Sequence, residues 1–111
     1  MKGNELFKIA VRILAKAGRE TIEEAGVKPE DISLFIPHQA NWRIMKACAQ
    51  RIGISEEKIY VTVDKYGNTS AATIPIALDK AVREEKIKEN DLVLMDAFGG
   101  GLTWGACVIK W

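Results

Sequence analysis

The chain begins with a long stretch in which apolar residues keep to helical spacing, and two shorter stretches of the same kind follow. An apolar stripe at this spacing is typical of a helix that packs one face against a core. The first stripe stops before Gly26 and the second before Gly53, and glycine commonly ends a helix. Pro75 falls in the early turns of the third stretch, where its missing hydrogen bond is expected to bend the helix. The pattern predicts three helices, over residues 4–25, 41–52 and 70–85.

Four short apolar runs lie between and after these helices, over residues 32–36, 59–63, 92–98 and 102–111. Strands that alternate with helices favour a mainly parallel sheet covered by helices on both faces. Three consecutive glycines separate the last two runs and are expected to reverse the chain, so those two strands should form an antiparallel hairpin. The prediction is an α/β fold of one domain, residues 1–111, with three layers around a mixed, mainly parallel sheet of about four strands and with three helices.

Groups that can donate hydrogen bonds follow three of the predicted strands. His38, the only histidine, follows the first strand, Asn68 lies at the corner between the second strand and the third helix, and the glycine run follows the third strand. Because the carboxyl ends of parallel strands meet at one edge of a sheet, these groups are expected to converge on one cleft. Donors aimed at a single oxygen would stabilise an enolate or another oxyanion. Position alone leaves a second interpretation open, in which His38 only caps the following helix.

Composition and charge narrow the class of protein. The 111 residues carry a formal net charge of +1, with 48% hydrophobic and 28% charged residues. Such a chain can bury a core and has no electrostatic bias towards nucleic acid. No apolar run approaches the length of a membrane span, and the first residues lack the apolar region of a signal peptide. We therefore expect a cytoplasmic protein without a membrane partner.

The two cysteines, Cys48 in the second helix and Cys107 in the last strand, are expected to be small buried residues rather than nucleophiles. They lack the spacing of paired metal ligands, and the chain offers only one histidine beside them. A structural zinc site is therefore not expected.

Three motifs, in this order along the chain, resemble the C-terminal signatures of the β-ketoacyl-acyl-carrier-protein synthase III family. They are Pro-His-Gln-Ala-Asn at residues 37–41, Tyr-Gly-Asn-Thr-Ser-Ala-Ala at 66–72 and Phe-Gly-Gly-Gly-Leu-Thr-Trp-Gly at 98–105. Members of this family are thiolase-fold condensing enzymes that initiate bacterial fatty-acid synthesis. The resemblance extends from about Gly3 to Trp111 and implies the C-terminal part of a longer enzyme. It also implies that the catalytic cysteine comes from an N-terminal half that nothing here matches, so this chain alone should be inactive.

The resemblance implies the decarboxylative Claisen condensation of an acyl-CoA with malonyl-acyl-carrier protein. His38 and Asn68 would donate hydrogen bonds to the thioester carbonyl oxygen of the malonyl group and stabilise the enolate. The backbone N–H of Gly100 would form one arm of the oxyanion hole. Phe98 would lie beside His38 and Asn68 and help to keep water out of the site.

The resemblance also assigns residues to partners. Arg43 is expected on a basic patch that docks the acidic carrier protein, and Lys46 could extend that patch. A plain solvated surface charge remains the alternative for Arg43. Asn41 is expected near the pantetheine arm of CoA or of the carrier, while Trp42 replaces the aliphatic residue expected beside it. The implied partners are acyl-carrier protein, CoA thioesters, the N-terminal half and a second copy in a homodimer, and no cofactor or metal is implied.

Two other functions remain open on the sequence. A thiolase-fold relative that uses CoA substrates, such as a polyketide initiator, would carry His and Asn at similar places. A non-catalytic subunit that binds a carrier protein or assists assembly would need no nucleophile.

The third helix is expected to expose an apolar stripe around Ala72, Ile76 and Ala77 to the absent half, which would make the isolated chain self-associate.

Overall fold

The computed structural model describes residues 3–38, 42–61, 73–99 and 103–111. Within these ranges there are three α-helices and three strands. The helices are α1 (Gly3–Glu24), α2 (Trp42–Ile52) and α3 (Thr73–Arg83), and the strands are β1 (Leu34–Ile36), β2 (Leu92–Gly99) and β3 (Thr103–Lys110).

All three predicted helices are present in the structure. α1 and α2 end just before Gly26 and Gly53, whose φ angles of +73° and +97° lie in the left-handed region that glycine tolerates. α3 is described from Thr73 onward, and the bend expected at Pro75 stays a prediction. No helix in the described ranges combines the length and the apolarity needed to cross a bilayer.

The three strands form one sheet in the order β1–β2–β3. β1 runs parallel to β2, from Leu34 opposite Val93 to Ile36 opposite Met95. β2 pairs antiparallel with β3 along the whole length of both strands. The predicted hairpin and the mixed sheet are therefore confirmed.

The prediction of four strands is wrong, because the described part of the chain contains three. The predicted strand over residues 59–63 is the one that does not form within the described residues. Ile59 forms one parallel bridge with Phe35, and the Tyr60 N–H donates a hydrogen bond of 2.9 Å to the carbonyl oxygen of Phe35. A single bridge does not make a ladder, and residues 62 and 63 lie outside the described ranges. The bridge is parallel and lies on the side of β1 away from β2, which agrees with the expectation of a mainly parallel sheet.

Helices cover both faces of the sheet, as predicted. Alternate residues of a strand face opposite sides: Phe35 and Leu94 belong to the core that α1 and α2 close, which includes Leu14, Met45 and Ile52. Leu34, Ile36 and Val93 belong to the core on the other face, together with Ala77 and Ala81 of α3. The result is the expected three-layer arrangement.

The expectation of an exposed apolar stripe on α3 is wrong at Ala77, which is fully buried against the sheet of its own chain. The strand face beneath α3 is apolar, so it covers the alanine without a partner half. Ala72 and the side chain of Ile76 lie outside the described residues.

Candidate functional site

His38 lies at the carboxyl end of β1, one residue beyond Pro37, and its side chain is partly buried. Burial lowers the pKa of the imidazole below its ordinary value of 6.5, because the charged form loses hydration. A neutral imidazole carries one N–H donor and one acceptor nitrogen. At neutral pH His38 is therefore suited to donate a hydrogen bond without bringing a charge into the site.

The local path of the chain at His38 depends on Pro37 and on a carboxylate of β2. At the start of β1 the Ser33 N–H donates to the Leu92 carbonyl oxygen at 2.8 Å. Pro37 has no N–H and cannot continue such backbone bonding. The peptide N–H of His38 instead donates to Oδ1 of Asp96 at 3.2 Å.

Asp96 is a residue of the site that the sequence reasoning missed. It is only 2% exposed and is the one buried charged side chain in the described part of the chain. Burial raises the pKa of this carboxyl to about 7, and the hydrogen bond from the His38 N–H opposes that rise. The available signal was a single acid inside the otherwise apolar run 92–98.

Three of the predicted site residues, Asn41, Asn68 and Gly100, lie outside the described residues. Phe98 belongs to β2, but its side chain is also outside the described part. The convergence of His38 with Asn68 and the glycine backbone therefore stays a prediction. The structure brings His38 to the sheet edge where the parallel strand β2 also ends.

The residues assigned to partners lie on the first turns of α2. The Arg43 guanidinium carbon lies 5.0 Å from the centroid of the Phe7 ring, a cation–π distance, and the residue is exposed. Nζ of Lys46 lies 3.9 Å from Oε2 of Glu56, with both side chains roughly half exposed. Trp42 is 38% exposed. Arg43 thus offers an exposed positive charge, while a carboxylate partly neutralises the charge of Lys46.

The cysteines differ from each other. Cys48 is buried, as predicted, and burial raises the pKa of its thiol to about 12, with the charge of Asp96 acting in the same direction and Arg51 against it. It is therefore a protonated core residue and not a nucleophile. The prediction of burial is wrong for Cys107, which is exposed. Cys107 belongs to β3 and pairs with Met95 of β2. It stays exposed because α3 packs over β1 and β2 rather than over β3.

A groove lies between α1 and β3, away from His38. This groove of about 300 Å³ is lined by Arg12, Ile13, Lys16, Ala17, Glu20 and Trp104. None of the predicted site residues lines it. The described ranges contain no group of three or more His, Cys, Asp or Glu side chains that could hold a metal ion.

The comparison with known families decides the family. The family described as 3-Oxoacyl-[acyl-carrier-protein (ACP)] synthase III C terminal matches residues 22–111. The chain belongs to this family. A β-ketoacyl-[acyl-carrier-protein] synthase III of Aquifex aeolicus is 59% identical over 111 residues, which are 100% of this chain and 36% of that protein. The chain thus spans about a third of the length of such a synthase III.

Solved structures confirm the thiolase-like fold prediction. The crystal structure of the Aquifex aeolicus synthase III superposes with a TM-score of 0.96 at 58% identity, covering 100% of this chain and 36% of that one. A priming β-ketosynthase from the R1128 polyketide biosynthetic pathway superposes with a TM-score of 0.88 at 37% identity, covering 99% and 33% of the two chains. The synthase III fold therefore accounts for the whole described chain.

Proposed function

We propose that this chain is the C-terminal portion of a 3-oxoacyl-acyl-carrier-protein synthase III and that it supplies the hydrogen-bond donors for malonyl decarboxylation. The observation that carries the proposal is His38, a partly buried imidazole at the carboxyl edge of two parallel strands in a chain of this family. Ligands bind at this edge of open α/β sheets. The identity to the Aquifex aeolicus synthase III over the full chain supports the same assignment.

The proposed reaction begins with an acyl group held as a thioester on a cysteine outside this chain. The bond between the carboxylate and the methylene carbon of malonyl-acyl-carrier protein breaks, CO₂ leaves, and the electron pair moves into an enolate. His38 and Asn68 donate hydrogen bonds to the enolate oxygen. The enolate carbon attacks the acyl carbonyl carbon, and the backbone N–H of Gly100 stabilises the resulting oxyanion. The cysteine thiolate then leaves.

The protonation state of His38 fits this role. A neutral imidazole donates one N–H to the thioester oxygen and does not hand over a full proton, so the enolate keeps its nucleophilic electron pair. Phe98 would line the same cleft and exclude water, which strengthens both hydrogen bonds.

The proposed partners are CoA thioesters as acyl donors and acyl-carrier protein as the carrier of malonate. Arg43 and, to a smaller degree, Lys46 would attract the acidic carrier, and Asn41 would lie near the pantetheine arm. The N-terminal portion of the enzyme would bring the cysteine, and two copies of the whole enzyme would form a homodimer in the cytoplasm.

The proposal is tested in a chimera in which this chain replaces the matching C-terminal segment of the Aquifex aeolicus synthase III. Cysteine acylation by acetyl-CoA is followed by intact-protein mass spectrometry, and decarboxylation is followed with malonyl-carrier protein. The chimera should carry out both steps. His38→Ala should lower decarboxylation on the order of 100-fold or more and leave acylation largely intact.

Lys8→Ala, at an exposed position of α1, is the control and should change neither step. A parallel loss of acylation and decarboxylation in His38→Ala would reassign the histidine to activation of the cysteine. This chain by itself should neither condense the substrates nor become acylated. A stable acyl adduct on Cys48 or Cys107 would contradict that expectation.

A second candidate function is the priming step of a polyketide pathway, which the similarity to the R1128 β-ketosynthase supports. The two candidates differ in the substrates that the whole enzyme prefers. The chimera should therefore be assayed with malonyl-carrier protein and with malonyl-CoA, and faster turnover of the carrier-bound substrate favours the synthase III of fatty-acid synthesis. An inactive, well-folded chimera would favour the non-catalytic subunit.

A further inference from the structure

One buried charged side chain, Asp96, has no part in the proposed reaction. Residues alternate along β2, so Asp96 lies on the same face as Leu94, within the layer that α1 and α2 close. An aliphatic residue at this position would extend that core, whereas burying a carboxyl in apolar surroundings costs free energy. The acid is therefore expected to make a contact that an aliphatic side chain cannot make.

That contact is the hydrogen bond from the His38 peptide N–H to Oδ1 of Asp96, at 3.2 Å. Backbone donors towards one neighbour recur every second residue of a parallel strand, so the series that starts with the Ser33 N–H reaches position 37. Pro37 has no N–H to donate. The carboxylate of Asp96 thus binds the next available N–H, which belongs to the histidine itself.

We propose that Asp96 is a positioning residue for His38, and that it holds the peptide of the histidine so that the imidazole points at the substrate's thioester oxygen. The inference rests on the proposed function, in which His38 is a donor to that oxygen. An anchor at the residue's own peptide restrains its Cα, which leaves the two side-chain torsions to place the ring. Because donors must lie within a few tenths of an ångström of their productive position, a loss of this anchor lowers the rate of the step that the donor serves.

The second carboxyl oxygen of Asp96, Oδ2, makes no hydrogen bond with the described residues, so the contact with the His38 N–H is the one that this carboxyl serves. Oδ2 is also buried. A buried, unpaired oxygen destabilises the folded state. The carboxyl is thus unfavourable for stability at this position, which is expected of a residue retained for the site rather than for the core.

The test uses the chimera with the Aquifex aeolicus enzyme and compares Asp96→Asn with Asp96→Leu. The carboxamide of the Asn variant keeps an acceptor oxygen for the His38 N–H, and the Leu variant has none. We expect Asp96→Leu to lower decarboxylation at least about 10-fold and Asp96→Asn to stay within about 5-fold of the parent. Cysteine acylation should stay within about 2-fold in both variants, because that step does not depend on His38. The loss in decarboxylation should appear mainly in kcat for malonyl-carrier protein, because the hydrogen bond from His38 is stronger to the enolate oxygen than to the thioester of the bound substrate.

Asp79→Leu, which removes an exposed carboxylate of α3, is the matched control and should change neither half-reaction. Thermal melting of each variant is measured beside the kinetics. A folded Asp96→Leu variant that decarboxylates at the parental rate would overturn the inference. Loss of acylation in step with decarboxylation, or equal loss in the Asn and Leu variants, would also overturn it.

If Asp96→Leu does not fold, Asp96→Thr takes its place, because its shorter hydroxyl is a poorer acceptor for the same N–H. Faster decarboxylation by the Asn variant than by the Thr variant would support the inference, and equal rates would overturn it. An inactive parent chimera would refute the proposed function and this inference with it. An active parent whose Asp96 variants match it would refute the inference alone.

Discussion

At the scale of single residues, burial shifts the pKa values of His38 and Asp96 in opposite directions. It lowers the pKa of the His38 imidazole and raises that of the Asp96 carboxyl, because it disfavours the charged form of each. Both residues are therefore closer to neutral than they would be in water. The hydrogen bond from the His38 peptide N–H favours the charged form of Asp96 and limits the rise of its pKa.

Asp96 should make the stability of the chain fall as the pH rises. The folded carboxyl, with a pKa of about 7, keeps a proton that the unfolded chain releases near its ordinary value of 3.8. Between these values the folded state binds more protons, so the free energy of unfolding decreases with pH and levels off above about pH 7. Urea unfolding should show a loss of about 3 kcal/mol between about pH 5 and about pH 8 that Asp96→Asn removes.

The other carboxyl groups are common to both proteins, so the difference between the two pH dependences isolates Asp96. Equal pH dependence in the parent and in Asp96→Asn would mean that the carboxyl is hydrated in solution and keeps an ordinary pKa.

Arg43 allows a second prediction at this scale. Arg43→Glu in the chimera should weaken binding of the acidic carrier protein about 10-fold and spare acylation by acetyl-CoA, because like charges repel the carrier and small thioesters do not meet that surface. Salt dependence of the KM for malonyl-carrier protein is the measurement. Arg51→Glu, at an exposed position near the other end of α2, is the matched control, and an equal effect there would indicate a general field rather than a docking site.

At the scale of elements, α1 and α2 pack closely at Gly18. A Cβ at this position would lie 2.7 Å from Cδ1 of Ile52 and 3.6 Å from Cδ2 of Leu94. The absence of a side chain thus lets α1 approach α2 and β2, and the same two helices enclose the core beside Asp96.

Gly18→Ala should destabilise the chain by about 1 kcal/mol, because overpacking outweighs the higher helix propensity of alanine. Ile52→Val removes the Cδ1 atom, so in that background Gly18→Ala should become neutral or stabilising. A double-mutant cycle in urea should give a coupling of about 1–2 kcal/mol. The same cycle with Ile54→Val should be additive, and coupling there would place the strain elsewhere.

The sequence predicted the helices, the hairpin and the layers well, because those features follow from the spacing of apolar residues and from glycine stops. It overestimated the strands, because an apolar run such as residues 59–63 does not reveal how many ladder bonds its neighbour offers. It placed His38 just after a strand, where the structure has it, and the role of this histidine stays a prediction. It did not predict the contact of Asp96, because the donor for this acid is the His38 N–H just after β1, which lies 58 residues away along the chain.

At the scale of the whole molecule, β3 is an edge strand of the described sheet. It pairs with β2 along one side, and no strand of the described residues pairs with its other side. Trp104 and Trp111, near its two ends, are 52% and 46% exposed. Unpaired backbone groups beside exposed aromatic rings favour association with another strand.

We expect this 111-residue chain to self-associate at micromolar concentration through that edge of β3. Light scattering in the presence of a reductant should show a mass above that of the monomer. Cys107→Lys, which places a charge on the exposed edge, should shift the chain towards the monomer. A monomer at all concentrations, or no change on Cys107→Lys, would contradict this route of association.

β1 has only three residues, yet all three are buried, which holds for no other strand or helix that the structure describes in full. Its side chains are buried on both faces, β2 pairs with one of its edges and the segment 59–61 bridges the other. Peptide groups enclosed in this way exchange their hydrogens with solvent only when the surrounding structure opens as a unit. His38 emerges directly from this strand, so its main chain is held for as long as the sheet stays closed.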